Sequence, residues 1–428
     1  MKRCIVIGCG LAGLTSAAYL TQNGFHVEIL EASPKAGGRA YSLKDNETGS
    51  VIDNGQHIIM GCYKETLKLF KLIGAEENLI RQNRINVNFI KENFILVPLQ
   101  ASLLLYPFNL LSALLNYKAI AFRDRILLLK FFLKLPFISK KSIKDLSVYD
   151  WLIKENQNEY LRKAFWEIIV AGALNTNIKK ASAITFLIVL KEIFLRGTKA
   201  ATIILPKLGL SNTYCENASM FIEKRNGRIY FLERVTELIT SDGRIAEICT
   251  TKRKITDFDF VISAVPLYAL KKILPVMETE TQLELSYSSI LSIHIWLKNN
   301  KLTGGFYGLI NSRVHWIFNH HDHLTLVISD ADGLIDKSKE EIFEMSAVEL
   351  NKYIKVGKDQ IISYKIIKER RATFVPTNSI LNSRPKQTTN LNNFFLAGDW
   401  VDTGLPSTIE SAVKSGKVAA ELIINKLS

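Results

Sequence analysis

A glycine-rich turn between a strand-like run and a helix-like run at the start of the chain is compatible with few folds. Residues 4–7 form a short apolar run, and residues 11–20 are rich in Ala and Leu. Gly8, Gly10 and Gly13 follow the spacing GxGxxG across the junction. Such glycines allow a tight turn, close approach of a pyrophosphate and close helix packing, with the helix N-terminus facing the phosphates. The chain start therefore predicts a Rossmann-like α/β domain that binds a dinucleotide.

The residues after the second predicted strand narrow the choice of dinucleotide. The run from His26 to Leu30 ends at Glu31. A carboxylate at that point suits the two hydroxyls of an adenosine ribose and would repel a 2′-phosphate, which favours FAD or NAD over NADP. The segment 34–39 then supplies Gly37 and Gly38 and the guanidinium of Arg39, which can fork onto pyrophosphate oxygens. NAD-specific domains rarely continue in this way, so the predicted cofactor is FAD.

With this GGR segment the chain resembles the flavin amine oxidase and phytoene desaturase superfamily, in which such a motif contacts FAD. A second superfamily string, Ala397-Gly398-Asp399, lies near the other end of the chain. The resemblance implies an FAD-binding domain of glutathione-reductase or amine-oxidase type with an inserted α+β substrate domain. The predicted FAD-binding segments are 1–72, 211–289 and 366–428, and the predicted substrate segments are 73–210 and 290–365. A chain of 428 residues is also too long for one ordinary core.

Several longer strings resemble those of the hydroxysqualene dehydroxylase family. They are DNGQH at 53–57, ALNT at 173–176, ERRATF at 369–374 and GDWVDTGLPSTIE at 398–410. The resemblance implies that hydroxysqualene is reduced to squalene at the expense of reduced FAD, with an external reductant. The alternatives are a carotenoid-type desaturase, an amine oxidase, and a prenyl-lipid escort protein that keeps the fold without catalysis.

The resemblance also implies a set of cofactor-binding residues. Those expected at the pyrophosphate and ribose are Gly8, Gly10, Leu11, Ala12, Gly13 and Glu31. Those expected along the rest of FAD are Gly38, Arg39, Gly55, Gln56, Val235, Gly398, Asp399 and Ile409. Val235 is expected near the adenine, and Ile409 is expected to present its backbone amide to the flavin ring. Asp399 has the alternative role of a helix cap.

Two residues within the family strings are candidates for catalysis. His57 or Asp402 is expected to provide or relay a proton to the departing hydroxyl group, because both strings are expected to border the flavin. The alternative is that His57 orients a loop and Asp402 caps a turn. Aromatic residues expected along an apolar substrate tunnel are Phe165, Trp166, Phe186, Trp296 and Trp316.

The charge and the apolar runs indicate a membrane surface as a partner. The chain has 55 Lys and Arg against 41 Asp and Glu, a net charge of +14, without a nucleic-acid-binding motif. Residues 94–117 carry no charge, and residues 126–137 are apolar apart from Lys130 and Lys134. A transmembrane helix would be interrupted at Pro98 and Pro107. We therefore expect helices that lie in the membrane interface, where each nearby cation gains about 1 kcal/mol; an internal helical core is the alternative.

Cysteine and histidine usage bears on the compartment and on metals. The five cysteines include no CxxC pair, which is typical of a reducing compartment. We therefore expect a cytoplasmic protein, peripheral on the inner face of the cytoplasmic membrane. His320, His321 and His323 could suggest a metal, but without nearby Cys or HExxH a polar surface loop is the prediction, and no metal is expected.

Overall fold

The computed structural model describes residues 1–275 and 283–427, and its strands and helices follow in chain order. The strands are β1 (Arg3–Ile7), β2 (His26–Leu30), β3 (Ser42–Lys44), β4 (Val51–Asp53), β5 (Ile59–Met60), β6 (Leu79–Arg81), β7 (Asn86–Lys91), β8 (Ile95–Gln100), β9 (Ile203–Pro206), β10 (Gly227–Tyr230), β11 (Val235–Ser241), β12 (Arg244–Thr250), β13 (Lys254–Ile255), β14 (Phe260–Ser263), β15 (Tyr287–Leu297), β16 (Phe306–Leu309), β17 (Trp316–Asn319), β18 (Leu324–Ser329), β19 (Ile361–Phe374) and β20 (Phe394–Leu396). The helices are α1 (Leu11–Gln22), α2 (Lys64–Leu72), α3 (Phe108–Leu115), α4 (Phe122–Lys134), α5 (Val148–Lys154), α6 (Glu159–Leu161), α7 (Glu167–Leu174), α8 (Ala183–Phe194), α9 (Glu216–Glu223), α10 (Leu267–Ile273), α11 (Lys339–Ile354), α12 (Asn378–Ser383) and α13 (Ile409–Asn425).

A five-stranded parallel sheet collects strands from distant parts of the chain. Its order is β10-β2-β1-β14-β20. The apolar run predicted as the first strand lies at its centre as β1, where residues 4–6 are fully buried. Helices α1 and α13 pack on the sheet and on each other. The predicted α/β class with a parallel sheet is confirmed.

Close helix packing around the glycine turn depends on glycine at two positions. A Cβ atom on Gly13 would lie 2.0 Å from the carbonyl oxygen of Gly8. A Cβ atom on Gly416 of α13 would lie 2.2 Å from the carbonyl oxygen of Ala12 in α1. Both distances are far inside van der Waals contact, so a side chain at position 13 would push α1 away from the turn, and one at position 416 would push α13 away from α1.

A seven-stranded sheet lies beside the parallel sheet in the order β19-β15-β18-β17-β16-β7-β8. Its pairs are antiparallel except for β16 and β7, which run parallel. Strand β19 continues from Ile361 to Phe374 across the predicted boundary between residues 365 and 366. The predicted segments 211–289 and 366–428 include residues 276–282 and 428, which lie outside the described residues.

The apolar stretch 94–137 is only partly helical. Residues 95–100 form β8, which pairs with β7, and α3 and α4 follow. The expectation of helices throughout is therefore wrong for 95–100, where alternating exposed and buried residues fit an edge strand. Helices α3 to α8 share one aromatic-rich core with the seven-stranded sheet. Among the described residues, no helix combines the length and the apolar character needed to cross a bilayer.

Candidate active site

One continuous cavity of about 1310 Å³ joins the glycine turn to the apolar core of the second sheet. Single ligand pockets are usually about 300–1,000 Å³, so this cavity is large enough for more than one molecule. One half is bordered by the ends of β1, β2 and β20 and by the start of α13. The other half is bordered by α7, α8 and the seven-stranded sheet.

The glycine turn leaves open space where a phosphate is expected. A Cβ atom on Gly10 would have only the Cα atom of Gly38 within 4 Å, at 3.8 Å. Packing inside the protein therefore does not require a glycine at position 10. A side chain there would project into the cavity. Helix α1 begins at Leu11 with no side-chain cap and no acidic residue in its first turn. Its first N–H groups lack intrahelical acceptors, as an anion-binding helix N-terminus requires.

The carboxylate of Glu31 lines the cavity at the end of β2. It accepts hydrogen bonds from the backbone N–H groups of Cys9 at 2.7 Å and Ser33 at 2.8 Å. These two bonds hold the carboxylate beside the glycine turn, and each of its oxygens keeps a second lone pair for a ligand hydroxyl. Val235 lines the same end of the cavity.

The guanidinium of Arg39 binds protein groups on two distant segments. It donates to Asp399 Oδ1 at 2.5 Å and to the carbonyl oxygen of Ala372 at 2.8 Å. The other oxygen of Asp399 accepts a hydrogen bond from the hydroxyl of Ser407. Burial by itself would raise the pKa of Asp399, but Arg39 and Ser407 hold that pKa below its usual value, so the carboxylate is charged. Asp399 therefore places a negative charge in the wall of the cavity. Arg39 lines the cavity as well, and its guanidinium donates to Asp399.

A polar group with no protein partner lies between the two halves. The side-chain nitrogen of Gln56 is buried and has no hydrogen-bond partner among the described residues, and Gln56 lines the cavity. Close to it in the chain, Asn54 donates to the carbonyl oxygen of Arg39 at 2.9 Å and to Glu369 at 3.1 Å. A bound heterocycle with acceptor atoms would satisfy Gln56, so the residues present fit a flavin.

His57 lines the cavity as a neutral side chain. Burial, and after it the charge of Arg39, lowers the pKa of His57 to about 4. At neutral pH the imidazole therefore carries no charge, and a proton placed on it is readily given up.

The structure brings most, though not all, of the predicted site residues to this cavity. The predicted residues that line it are Gly8, Gly10, Leu11, Ala12, Glu31, Gly38, Arg39, Gln56, His57, Val235, Gly398, Asp399 and Ile409. Gly13 lies behind the turn, and Gly55 forms part of the loop that carries His57. Asp402 is exposed outside the cavity, where its carboxylate accepts a hydrogen bond from the backbone N–H of Gly404 at 2.9 Å.

The half of the cavity away from the glycine turn is mainly apolar, although Glu192 and Arg196, an ion pair at the end of α8, also line the cavity. Of the aromatic residues expected along a tunnel, Phe165 and Trp316 line it, whereas the other three, Trp166, Phe186 and Trp296, do not. Trp166 and Phe186 are fully buried in the helical core, where their rings pack edge to face 5.8 Å apart. Further apolar lining residues are Ile169, Val189, Ile193, Phe194, Phe306 and Phe318.

Two of the three histidines after β17 lie in a packed cluster. His323 is 3% exposed, and its ring stacks on that of His320 at 4.6 Å. The prediction of a surface loop is therefore wrong for His323, because its position at the start of β18 places it against His294 and Trp296. Within residues 1–275 and 283–427, no group of three or more His, Cys, Asp or Glu side chains could hold a metal ion.

Asn54, Ser407 and Glu369 are site residues that were not among the sequence-based candidates. Each lies inside one of the family strings. Membership of those strings is the signal that could have identified them.

Comparisons with known proteins agree with this geometry. The flavin containing amine oxidoreductase family matches residues 11–424. Hydroxysqualene dehydroxylase from Zymomonas mobilis is 30% identical to this chain, and the match covers 98% of each protein. The 15-cis-phytoene desaturase of Synechococcus elongatus is 24% identical over 99% of this chain and 96% of that protein. In fold, the chain is similar to cyclohexylamine oxidase from Brevibacterium oxydans, with a TM-score of 0.72, 15% identity and coverage of 100% of this chain and 99% of that one.

Replacing Arg39 by Met should destabilise the protein by leaving the Asp399 carboxylate without a cation. A fully buried pair costs about 3–5 kcal/mol to break; we expect about 2–3 kcal/mol because water reaches Arg39. In the variant, burial raises the pKa of Asp399, so protonation at lower pH should reduce the penalty. Urea unfolding at pH 7.5 and pH 5 measures both effects.

The control is Arg81→Met, which removes an exposed pair with Glu76. It should change the free energy of unfolding by less than about 1 kcal/mol. Equal losses in Arg39→Met and Arg81→Met, or a penalty that does not shrink at pH 5, would contradict the assigned role of the pair.

Proposed function

Because the chain belongs to the flavin containing amine oxidoreductase family, we propose that it reduces hydroxysqualene to squalene with FAD as its cofactor. The protein is a flavin-dependent oxidoreductase. Its resemblance to hydroxysqualene dehydroxylases, drawn from the DNGQH and GDWVDTGLP strings, is confirmed by the 30% identity over 98% of the chain. Phytoene desaturase, the nearest rival activity, matches at 24% identity.

The observation that carries the proposal is the continuous cavity with one polar and one apolar half. A C30 isoprenoid offers a single hydroxyl group, so most of its recognition must come from apolar contacts in a long tunnel. Such a tunnel begins where Gln56 and His57 face the cavity and continues along α7 and α8. The arrangement supports a lipid substrate that reaches the flavin from the apolar side.

Three features support FAD as the form of the flavin. Glu31 is held where the hydroxyls of an adenosine ribose can be bound, and the N-terminus of α1 opens into the same space. Val235 borders the end expected for the adenine. We assign cofactor binding to residues 1–72, 211–289 and 366–428, and substrate binding to 73–210 and 290–365.

The reaction replaces a C–OH bond by a C–H bond and releases water, so it needs one proton and one hydride. When bound, the reduced flavin would supply the hydride. The chain must hold the hydroxyl in place, deliver a proton to its oxygen and exclude bulk water. An allylic system at the reacting carbon spreads the positive charge that develops as water leaves.

His57 is placed to relay the proton. Its lowered pKa makes its protonated form a strong acid, which gives a proton readily to a weakly basic hydroxyl oxygen. Only a small fraction of His57 is protonated at neutral pH, and that fraction limits the rate. Asp402 is exposed and holds a turn, so we propose no direct contact with substrate for it.

An exposed apolar surface supports peripheral attachment to a membrane. Leu103 is 89% exposed, Leu105 is 84% exposed and Phe137 is 87% exposed. These residues belong to two segments that lie beside the end of α8. The Tyr106 hydroxyl of the first segment donates to the carbonyl oxygen of Phe194. The Lys191 ammonium group donates to the carbonyl oxygens of residues 136 and 138 in the second segment. The end of α8 also lines the apolar half of the cavity. An isoprenoid dissolved in the bilayer would therefore meet the cavity at this surface.

Charge complementarity favours an anionic membrane surface. Residues 94–144 contain eight Lys or Arg and one Asp. Cations beside an inserted apolar turn add about 1 kcal/mol each at an anionic leaflet. We propose the inner face of the cytoplasmic membrane as the location.

Product analysis tests the function directly. The purified protein is reduced under anaerobic conditions and then mixed with hydroxysqualene. Its flavin should become reoxidised, and squalene should be detected by mass spectrometry. No squalene, together with flavin reduction when the oxidised protein is mixed with phytoene, would instead identify a desaturase. A protein that purifies without any flavin would favour the escort role.

The pH dependence of turnover tests His57. The rate should rise about tenfold for each pH unit between pH 8 and pH 5, because the protonated fraction of His57 rises by that factor above its pKa. His57→Gln should lose this slope and turn over about 10² to 10⁴ times more slowly. Asp402→Asn should keep both slope and rate. Flavin content is measured in each variant, and a His57→Gln variant with wild-type turnover would exclude the relay.

Vesicle sedimentation tests the membrane surface. Leu103→Ser combined with Leu105→Ser should weaken binding to phosphatidylglycerol vesicles by more than about tenfold, because each leucine contributes about 1.5–3 kcal/mol when fully buried. The matched control replaces Met220 and Leu232 by serine. These two residues are also exposed, but they lie beside the parallel sheet. Equal binding by both double variants would contradict the proposed surface.

A further inference from the structure

A buried arginine lies directly behind the loop that forms the C-terminal wall of the cavity. We define this loop as residues 399–405; several of its members, and the residues after it up to Ile409, line the cavity. Arg384 is 7% exposed and does not line the cavity itself. Arg384 follows the short helix α12. Its guanidinium carbon lies 5.1 Å from the centre of the Phe374 ring, at the end of β19.

The guanidinium of Arg384 donates hydrogen bonds to the backbone of this loop. It donates to the carbonyl oxygens of Asp399 at 3.2 Å, Trp400 at 3.3 Å and Leu405 at 2.6 Å. It also donates to the carbonyl oxygen of Val401. Four carbonyl groups of one loop thus converge on one side chain, whose planar fork fixes their relative positions.

Three further hydrogen bonds hold the loop and the residues that follow it. The hydroxyl groups of Thr403 and Ser411 are 2.7 Å apart, and Ser407 donates to Asp399. Thr408 caps α13 by accepting a hydrogen bond from the backbone N–H of Ser411 at 3.2 Å. The loop and residues 406–408 therefore connect two groups expected at the flavin, the Asp399 carboxylate and the start of α13 at Ile409.

We propose that Arg384 is a positioning residue that holds loop 399–405 in the shape that binds the flavin. It acts through the loop, because its contacts are with the carbonyl groups of the wall and none of its atoms borders the cavity. Loss of these bonds would free the backbone between Asp399 and Ile409 while leaving the parallel sheet intact. The inference rests on the flavin site of the proposed function and is independent of the lipid substrate.

Flavin titration of apoprotein tests the proposal. Arg384→Gln should weaken FAD binding at least about tenfold, the loss expected when one hydrogen bond from a charged donor is removed. Its visible flavin absorption band should shift from that of the wild type. Arg384→Lys keeps the charge without the fork and should restore part of the affinity. The control, Arg81→Gln, removes an exposed arginine remote from the loop and should bind FAD within about twofold of wild type.

Hydrogen exchange separates positioning from general stability. Faster exchange in Arg384→Gln should be confined to peptides covering 399–411, with β1 and α1 unchanged. Wild-type FAD affinity in Arg384→Gln would overturn the proposal. Loss of protection throughout the protein in both Arg384 variants would also overturn it, because Arg384 would then support the whole fold. Neither result depends on whether hydroxysqualene is the substrate.

Discussion

The ion pair between Arg39 and Asp399 connects residues that are 360 positions apart. The same guanidinium binds the carbonyl oxygen of Ala372 at the end of β19, so one side chain joins the GGR segment, the second sheet and the C-terminal loop. A buried carboxylate without such a partner would be costly, because it would have to remain charged without compensation or take up a proton. The wall around the polar half of the cavity therefore depends on this contact.

The two halves of the cavity differ because different elements build them. Backbone amides and charged side chains face the first half, since turns at the ends of parallel strands expose them. Side chains from helices and from the seven-stranded sheet face the second half, and most of them are apolar because they belong to a buried core. Strand β19 carries Glu369 and Ala372 near the polar part and pairs with β15, whose Ile290 also lines the cavity. Polar cofactor and apolar substrate can therefore meet at one place without exposing the core.

The local elements around the glycine turn were predictable from the sequence, whereas side-chain directions were less so. The apolar run 4–7, the glycine spacing and the run 26–30 correspond closely to β1, the turn and β2. Asp402 was expected at the flavin because its family string was expected to border the flavin, yet its carboxylate is exposed. Its backbone N–H donates to the carbonyl oxygen of Pro385 at 2.8 Å, and this bond fixes the backbone there. No local string encodes such a contact between separate segments.

The sequence by itself determined the flavin class of the cofactor, the parallel strands and the family strings, because backbone geometry, apolar periodicity and glycine spacing act over a few residues. The tertiary structure decided which of those residues share the cavity. It set Arg39 against Asp399, buried His323 against His294, and left Leu103 exposed beside the end of α8. Each of these outcomes depends on contacts between segments far apart in the chain, and the free energy of such contacts exists only once the sheets and helices have packed together.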